Sequence, residues 1–141
     1  MAATVKYDEV EVGTEIPAQT YDVKRLNLVM YAGASGDFNP IHWDEHFAKS
    51  VGLPDIIAHG MFTMAQGGRF VTDWVGDPGA VLDYGVRFAG MVPVPHQAGT
   101  TIVISGVVEE KLADNKVVVG LTARSGDQKV LSQAKAVVRL A

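Results

Sequence analysis

The sequence predicts an α+β domain, with one long, mostly apolar helix followed by an antiparallel sheet. Three observations carry this. Met61, Met64, Ala65, Gly68, Val71, Thr72 and Val75 recur at helical spacing. From Ala80 onward the period drops to two, in stretches that alternate apolar and polar residues. The links between those stretches are short or Pro-bearing, and two of them, Asp114-Asn115 and Ser125-Gly126-Asp127, are made of turn residues. Strands that follow a helical block and are joined this tightly form one layer packed on that helix.

Up to about Gly76 the chain reads as loops and helices. Asp22 is placed to cap a helix from Val23 to Ala34, with Leu26, Val29 and Met30 on one face and Gly33 and Gly36 ending it. Pro40 lacks an amide hydrogen and pushes Asn39 out of the helical region, so the chain bends there. A second short helix then runs from after Pro40 to near Ser50. In the long helix, Gly67 and Gly68 each cost about 1 kcal/mol relative to Ala. That cost predicts a close approach of the helix to a sheet or a partner. Its Met and aromatic residues read as core.

The strands follow in order. In the first, from Ala80, Leu82, Tyr84, Val86 and Phe88 line one face, with Asp83 and Arg87 on the other. Thr101 to Val108 is the second. Lys116 to Arg124 is the third, with Val117, Val119, Leu121 and Ala123 inward. In the fourth, Val130 to Leu140, Ala134, Ala136 and Val138 face in while Gln133, Lys135 and Arg139 face out. Two open sheet edges would need covering, which predicts a dimer.

With no repeat or linker visible, residues 1–141 are expected to form a single domain. A chain of this length buries roughly two-thirds of the surface exposed when unfolded. A net charge of −4 and a pI near 5.5 argue against nucleic acid or an anionic membrane as a partner. The absence of cysteine excludes disulfides, thiolate zinc sites and a Cys nucleophile. The stretch MAATVKYDEVEVG lacks the basic start and apolar core of a signal peptide. No apolar run approaches the ~20 residues of a membrane span. A soluble, cytoplasmic protein is expected.

The most informative stretch for chemistry is Gly36-Asp37-Phe38-Asn39-Pro40-Ile41-His42. It places a carboxylate and an imidazole five residues apart, on either side of a Pro. On one continuous helix they would point about 140° apart, whereas a bend lets them converge as an acid/base pair. The plainer alternative makes Asp37 a turn residue and His42 a polar residue at a helix start. His42 to His46 also matches H-x-x-E-H, whose two imidazoles would share a helix face and could bind one metal. Pro40 puts His42 in the first turn and nothing singles out a third ligand, so Glu45 and His46 read as helix surface. His59-Gly60 opens the longest helix, where unpaired amides and the dipole suit an anionic oxygen. Gly60 either permits close approach of a ligand or simply allows a tight turn into the helix. Ser35 is not a nucleophile elbow, because Asp37 stands where Gly is needed, and no phosphate-cradling Gly-rich loop is present. Arg69, Arg87 and Arg124 are candidates for phosphate contact or for surface ion pairs.

With these residues in view, the chain resembles the MaoC-like (R)-specific enoyl-thioester hydratases and dehydratases of the hot-dog fold. The likeness covers nearly the whole chain. Its most specific part is Tyr31 to Ala48, with Ser-Gly-Asp-Phe-Asn-Pro-Ile-His at the centre. Ala58-His59-Gly60-Met61 and Arg87-Phe88 followed by Val92-Pro93-Val94-Pro95 are also similar to the family's pattern. The run Trp74 to Ala80 resembles the actinobacterial branch acting on (3R)-hydroxyacyl carriers in mycolic-acid elongation. The resemblance implies a long central helix wrapped by a curved antiparallel sheet. It implies Asp37 and His42 as the catalytic dyad, Asn39 as support for their loop, and the Gly60 backbone N–H as the oxyanion hole. The implied reaction is reversible syn addition of water to a trans-2-enoyl thioester carried on CoA or acyl carrier protein. No metal or redox cofactor is implied, and the implied partner is a second copy or a paralogous hot-dog subunit. A thioesterase of the same fold, or a subunit of a heterodimeric dehydratase with a dyad-less partner, is the alternative.

Overall fold

A computed structural model describes residues 3–141; Met1 and Ala2, where the expected single unit begins, lie outside the described residues. Strands β1 (Glu15–Val23), β2 (Val81–Phe88), β3 (Thr100–Leu112), β4 (Lys116–Ser125) and β5 (Gln128–Arg139) form one antiparallel sheet in the order β1-β3-β4-β5-β2. Helices α1 (Arg25–Ser35), α2 (Glu45–Ser50) and α3 (Gly60–Val75) come between β1 and β2. Phe62, Thr63, Phe70, Val71 and Val75 of α3 are buried, and the core is completed by the inward residues of β3, β4 and β5. No helix among the described residues is long and apolar enough to cross a membrane.

The inward residues expected of β4 and β5 are buried, and the outward ones of β5 are exposed. Asp114 and Asn115 both take positive φ, 58° and 56°, as a two-residue hairpin turn between twisted strands demands. The glycine pair does mark a close approach. A Cβ at Gly67 would collide with the Tyr84 hydroxyl of β2, which donates to the Met64 carbonyl at 2.8 Å.

Other expectations need correction. The sheet has five strands, not four: Glu15–Val23 is β1, and Asp22 lies within it rather than capping a helix. Its pattern is obscured by Pro17 and by a register shift between Ile16 and Gln19, which break the period-two signal. Helix α1 starts at Arg25, where Asn27 Oδ1 accepts from the Lys24 amide at 2.8 Å. It runs through Gly33 and ends at Gly36, whose φ of 76° makes the left-handed C-cap. Its buried residues are Leu28 and Ala32, so the Leu26, Val29 and Met30 face points outward. The α3 stripe is likewise turned: Met61 is 56% exposed and Ala65 is exposed, so Met61 is not core. A helix apolar on most sides does not reveal by period which side the sheet covers. On β2, Tyr84 and Val86 are half-buried but Leu82 and Phe88 are exposed, because register shifts near Leu82 and Val86 break the alternation.

The stretch after Pro40 is two pieces. Pro40–His42 is a 3-10 turn, and α2 begins only at Glu45, capped by Asp44, whose Oδ1 accepts from the Phe47 amide at 3.0 Å. His42 and His46 therefore sit on separate elements, and the shared helix face required for the H-x-x-E-H reading does not form.

Candidate active site

Local hydrogen bonds build the loop that carries Asp37. Gly36 turns the chain out of α1, and Ser35 Oγ accepts from the Asp37 amide at 3.2 Å. Asp37 Oδ1 accepts from the Asn39 amide at 3.2 Å, and Asn39 Oδ1 accepts from the Ile41 amide at 3.3 Å. Asn39 thus caps the 3-10 turn that carries His42. Trp43 Nε1 donates to the Phe38 carbonyl at 3.0 Å and closes the loop from its other side.

His42 is held from a different part of the chain. Segment 56–58 runs beside 92–94, with the Ala58 amide on Val92 O at 2.9 Å and the Val94 amide on Ile56 O at 2.8 Å. The Ile57 amide donates to Ile41 O at 3.1 Å, and His42 Nδ1 lies 2.6 Å from Ile57 O. A carbonyl only accepts, so Nδ1 carries the hydrogen and the lone pair of the neutral ring sits on Nε2. That Nε2 lies 3.9 Å from Asp37 Oδ2. The distance is too long for a direct hydrogen bond, and it lets one oxygen atom contact both groups. The His42 side chain is 9% exposed and that of Asp37 is 52% exposed, so the pair spans the border between core and solvent. Burial, aided by the adjacent His59 ring, pushes His42 below its ordinary value against the opposing pull of Ile57 O and Asp37.

Gly60 is the first residue of α3, and its N-cap, His59, makes no side-chain capping bond. The amides of this first turn have no acceptor within the helix. A Cβ at Gly60 would stand 3.2 Å from the Phe88 ring, so any larger residue would crowd the helix start.

Two further residues shape the site without a sequence signal of their own. Arg25, half-buried at the start of α1, bonds Asp55 Oδ1 at 2.6 Å, Glu45 Oε2 at 2.8 Å and the Val94 carbonyl at 3.1 Å. It ties α1, α2 and both strips around Ile57 together, and no local pattern announces a clamp whose partners lie 20 to 69 positions away. His59 stands out in the sequence only as the residue before Gly60, yet its buried ring lies against His42 and bonds the Asp37 carbonyl. Of the arginines considered for phosphate, Arg69 lies 3.5 Å from Asp73 Oδ2 and over the Tyr21 ring, and Arg124 bonds the Asp127 carbonyl at 2.6 Å.

Asp37, His42 and His59 offer ligand atoms within 4.8 Å of one another, a group large enough by number to hold a metal. The geometry is poor for one. The two imidazoles are stacked at 3.8 Å with planes 22° apart. A metal about 2.0–2.1 Å from a nitrogen of each must lie near both ring planes, which stacked rings do not allow.

A family model described as a MaoC-like domain matches residues 8–126. The chain is 41% identical over 88 residues to 3-hydroxyacyl-thioester dehydratase X of Mycobacterium tuberculosis, covering 59% of this chain and 29% of that protein. Among solved structures, a MaoC-like dehydratase superposes with a TM-score of 0.95 at 40% identity, over 99% of this chain and 44% of the other. The unliganded R-hydratase PhaJ1 of Pseudomonas aeruginosa gives a TM-score of 0.85 at 26% identity, covering 99% and 89% of the two chains. The chain spans less than a third of the length of the first curated relatives it matches. The five-stranded sheet, its central helix and the extent of these matches make this chain a member of the MaoC-like dehydratase family, with a hot-dog fold.

Proposed function

We propose that this protein is a hydro-lyase that adds water reversibly, on one face, to a trans-2-enoyl thioester, or removes it from the (3R)-hydroxyacyl thioester. The observation that carries the reading is the 3.9 Å approach of Asp37 Oδ2 to the unprotonated Nε2 of His42, beside the start of α3. At that separation a single water oxygen can lie within hydrogen-bond distance of both groups. As its oxygen bonds to C3, a proton passes to His42 Nε2, and the π electrons move toward the thioester oxygen. The Gly60 amide, at the positive end of the α3 dipole, is the donor for that oxygen; losing such a donor typically costs about 3–4 kcal/mol. The proton on His42 then goes to C2, which restores the neutral ring and gives syn addition. Asp37 orients the water through Oδ2 and stabilises the imidazolium, while Asn39 keeps the loop in shape. Every proton that leaves the water is accounted for, so the step calls for no resident metal or redox cofactor.

The substrate is an acyl group on the phosphopantetheine arm of CoA or acyl carrier protein, and the working unit is a dimer formed along β2. Edge strand β1 is protected by Pro17 and a bulge, both of which discourage pairing. The other edge, β2, exposes Leu82 and Phe88, and Met61 of α3 is exposed as well. A second copy or a dyad-less paralogue of the same fold could each supply the edge strand that pairs with β2. The deciding experiment follows the loss of conjugated absorbance of crotonyl-CoA and longer enoyl thioesters. Hydration to the (3R)-alcohol supports the reading; release of free thiol without hydration would replace it with thioester hydrolysis.

A further inference from the structure

The His59 side chain touches both members of the Asp37–His42 pair, and its own backbone leads into Gly60. Its Nε2 lies 3.1 Å from the Asp37 carbonyl, so Nε2–H donates. Its ring stacks on His42 at 3.8 Å, and Tyr31 covers it at 4.8 Å with planes tilted by 54°. Tyr31 in turn meets Phe62 edge-on at 5.7 Å, which ties the stack to α3. His59 is 1% exposed, and its Nδ1 has no hydrogen-bond partner.

That unpartnered nitrogen is informative. A buried polar atom without a partner is a cost that most folded proteins avoid. Phe would fill the same space without it but would leave the Asp37 carbonyl without this donor. Gln would keep a donor and give up the flat face against His42. Of the three, the imidazole alone does both, at the expense of one stranded lone pair.

We propose that His59 is a positioning residue that locks the Asp37 backbone, the ring plane of His42 and the Gly60 amide into one rigid unit. It touches no reacting atom in this scheme. Its kinetic consequences rest on the hydration reading above, whereas its effect on His42 does not. The stacked ring also lowers the proton affinity of His42, helping to keep Nε2 available as a base. The titratable groups in contact with His59 are Asp37, His42 and Tyr31.

The test uses His59→Phe and His59→Gln in the full chain, with kinetics on crotonyl-CoA and 15N NMR of the imidazoles without substrate. His59→Phe is expected to melt near the wild-type temperature, because it removes a stranded polar atom and the hydrogen bond to the Asp37 carbonyl together. Its kcat should nonetheless fall by about 10- to 100-fold with little change in KM, the scale of a catalytic group displaced by about an ångström. His59→Gln should lie between it and wild type. In His59→Phe, the His42 titration and the acid limb of kcat/KM should both move to higher pH. Wild-type kcat, with an unmoved His42 titration in the variants, overturns the proposal. An inactive wild-type protein would sink the hydration reading alone, because the NMR titration still decides the role of His59. If His59→Phe does not fold, His59→Gln carries the same two readouts.

Discussion

Tyr84 of β2 occupies the space that a side chain at Gly67 of α3 would need. Its ring lies over the helix backbone while its hydroxyl bonds the Met64 carbonyl. Burial pushes this hydroxyl up to about 12, so it remains a donor across the working pH range.

Gly67→Ala is therefore expected to destabilise the protein. Forcing a methyl into this contact costs about 1–3 kcal/mol, against about 1 kcal/mol gained in helix propensity. In a Tyr84→Phe background the clash with the hydroxyl is removed and the nearest atom becomes the ring Cζ at 3.3 Å, so the penalty of the same substitution should shrink. Urea melts of the four proteins in the cycle read this directly; an unchanged penalty in the Tyr84→Phe background would show that the crowding lies elsewhere.

Asp37→Asn and His42→Ala are each expected to lower kcat for enoyl-thioester hydration by about 10²–10⁴-fold, the usual contribution of a positioned acid or base. Circular dichroism should show the fold retained. Near-wild-type rates in both variants would remove the pair from the mechanism.

His42 makes stability depend on pH, with a definite sign. Its folded-state value lies below the ordinary 6.5, so the unfolded chain binds the proton more tightly. The stabilisation is present above pH 6.5 and is lost as pH falls below it. His42→Gln should flatten that part of the profile relative to wild type. Glu45, held near 2 by its hydrogen bonds to Lys49 and Arg25, acts in a lower window, between its ordinary 4.5 and about 2. Thermal melts from pH 8 to pH 3 separate the two; a wild-type melting curve parallel to that of His42→Gln between pH 7 and 5 would contradict the assignment to His42.

A charge on the open edge should block pairing along β2. Leu82→Lys, on an exposed position remote from the dyad in sequence, is expected to give a folded monomer by light scattering. A dimer that survives this change would place the seam on another surface.

Local pattern was enough for much of this protein. The alternation in Lys116 to Arg124 and Val130 to Leu140 named their inward faces, since each side of a strand has a single environment. The Asp-x-Asn-Pro-x-His spacing singled out the pair that the loop brings together, because Pro40 and Asn39 dictate the bend by covalent geometry and short-range hydrogen bonds. Gly67 and Gly68 announced a close contact by their cost alone.

What the chain could not express locally was decided by packing. Strand β1 carries no period-two signature because its bulge and Pro17 break the alternation, and only pairing with β3 makes it a strand. Helices α1 and α3 are apolar on more than one side, so tertiary packing, not the period, chose the faces holding Leu28 and Phe70. The tautomer of His42 depends on Ile57, fifteen positions away, and the ring that stacks on it comes from His59. Sequence proximity determines which groups can share a turn; a long-range hydrogen bond or a stacked ring exists only after distant segments have paid their ordering entropy to meet.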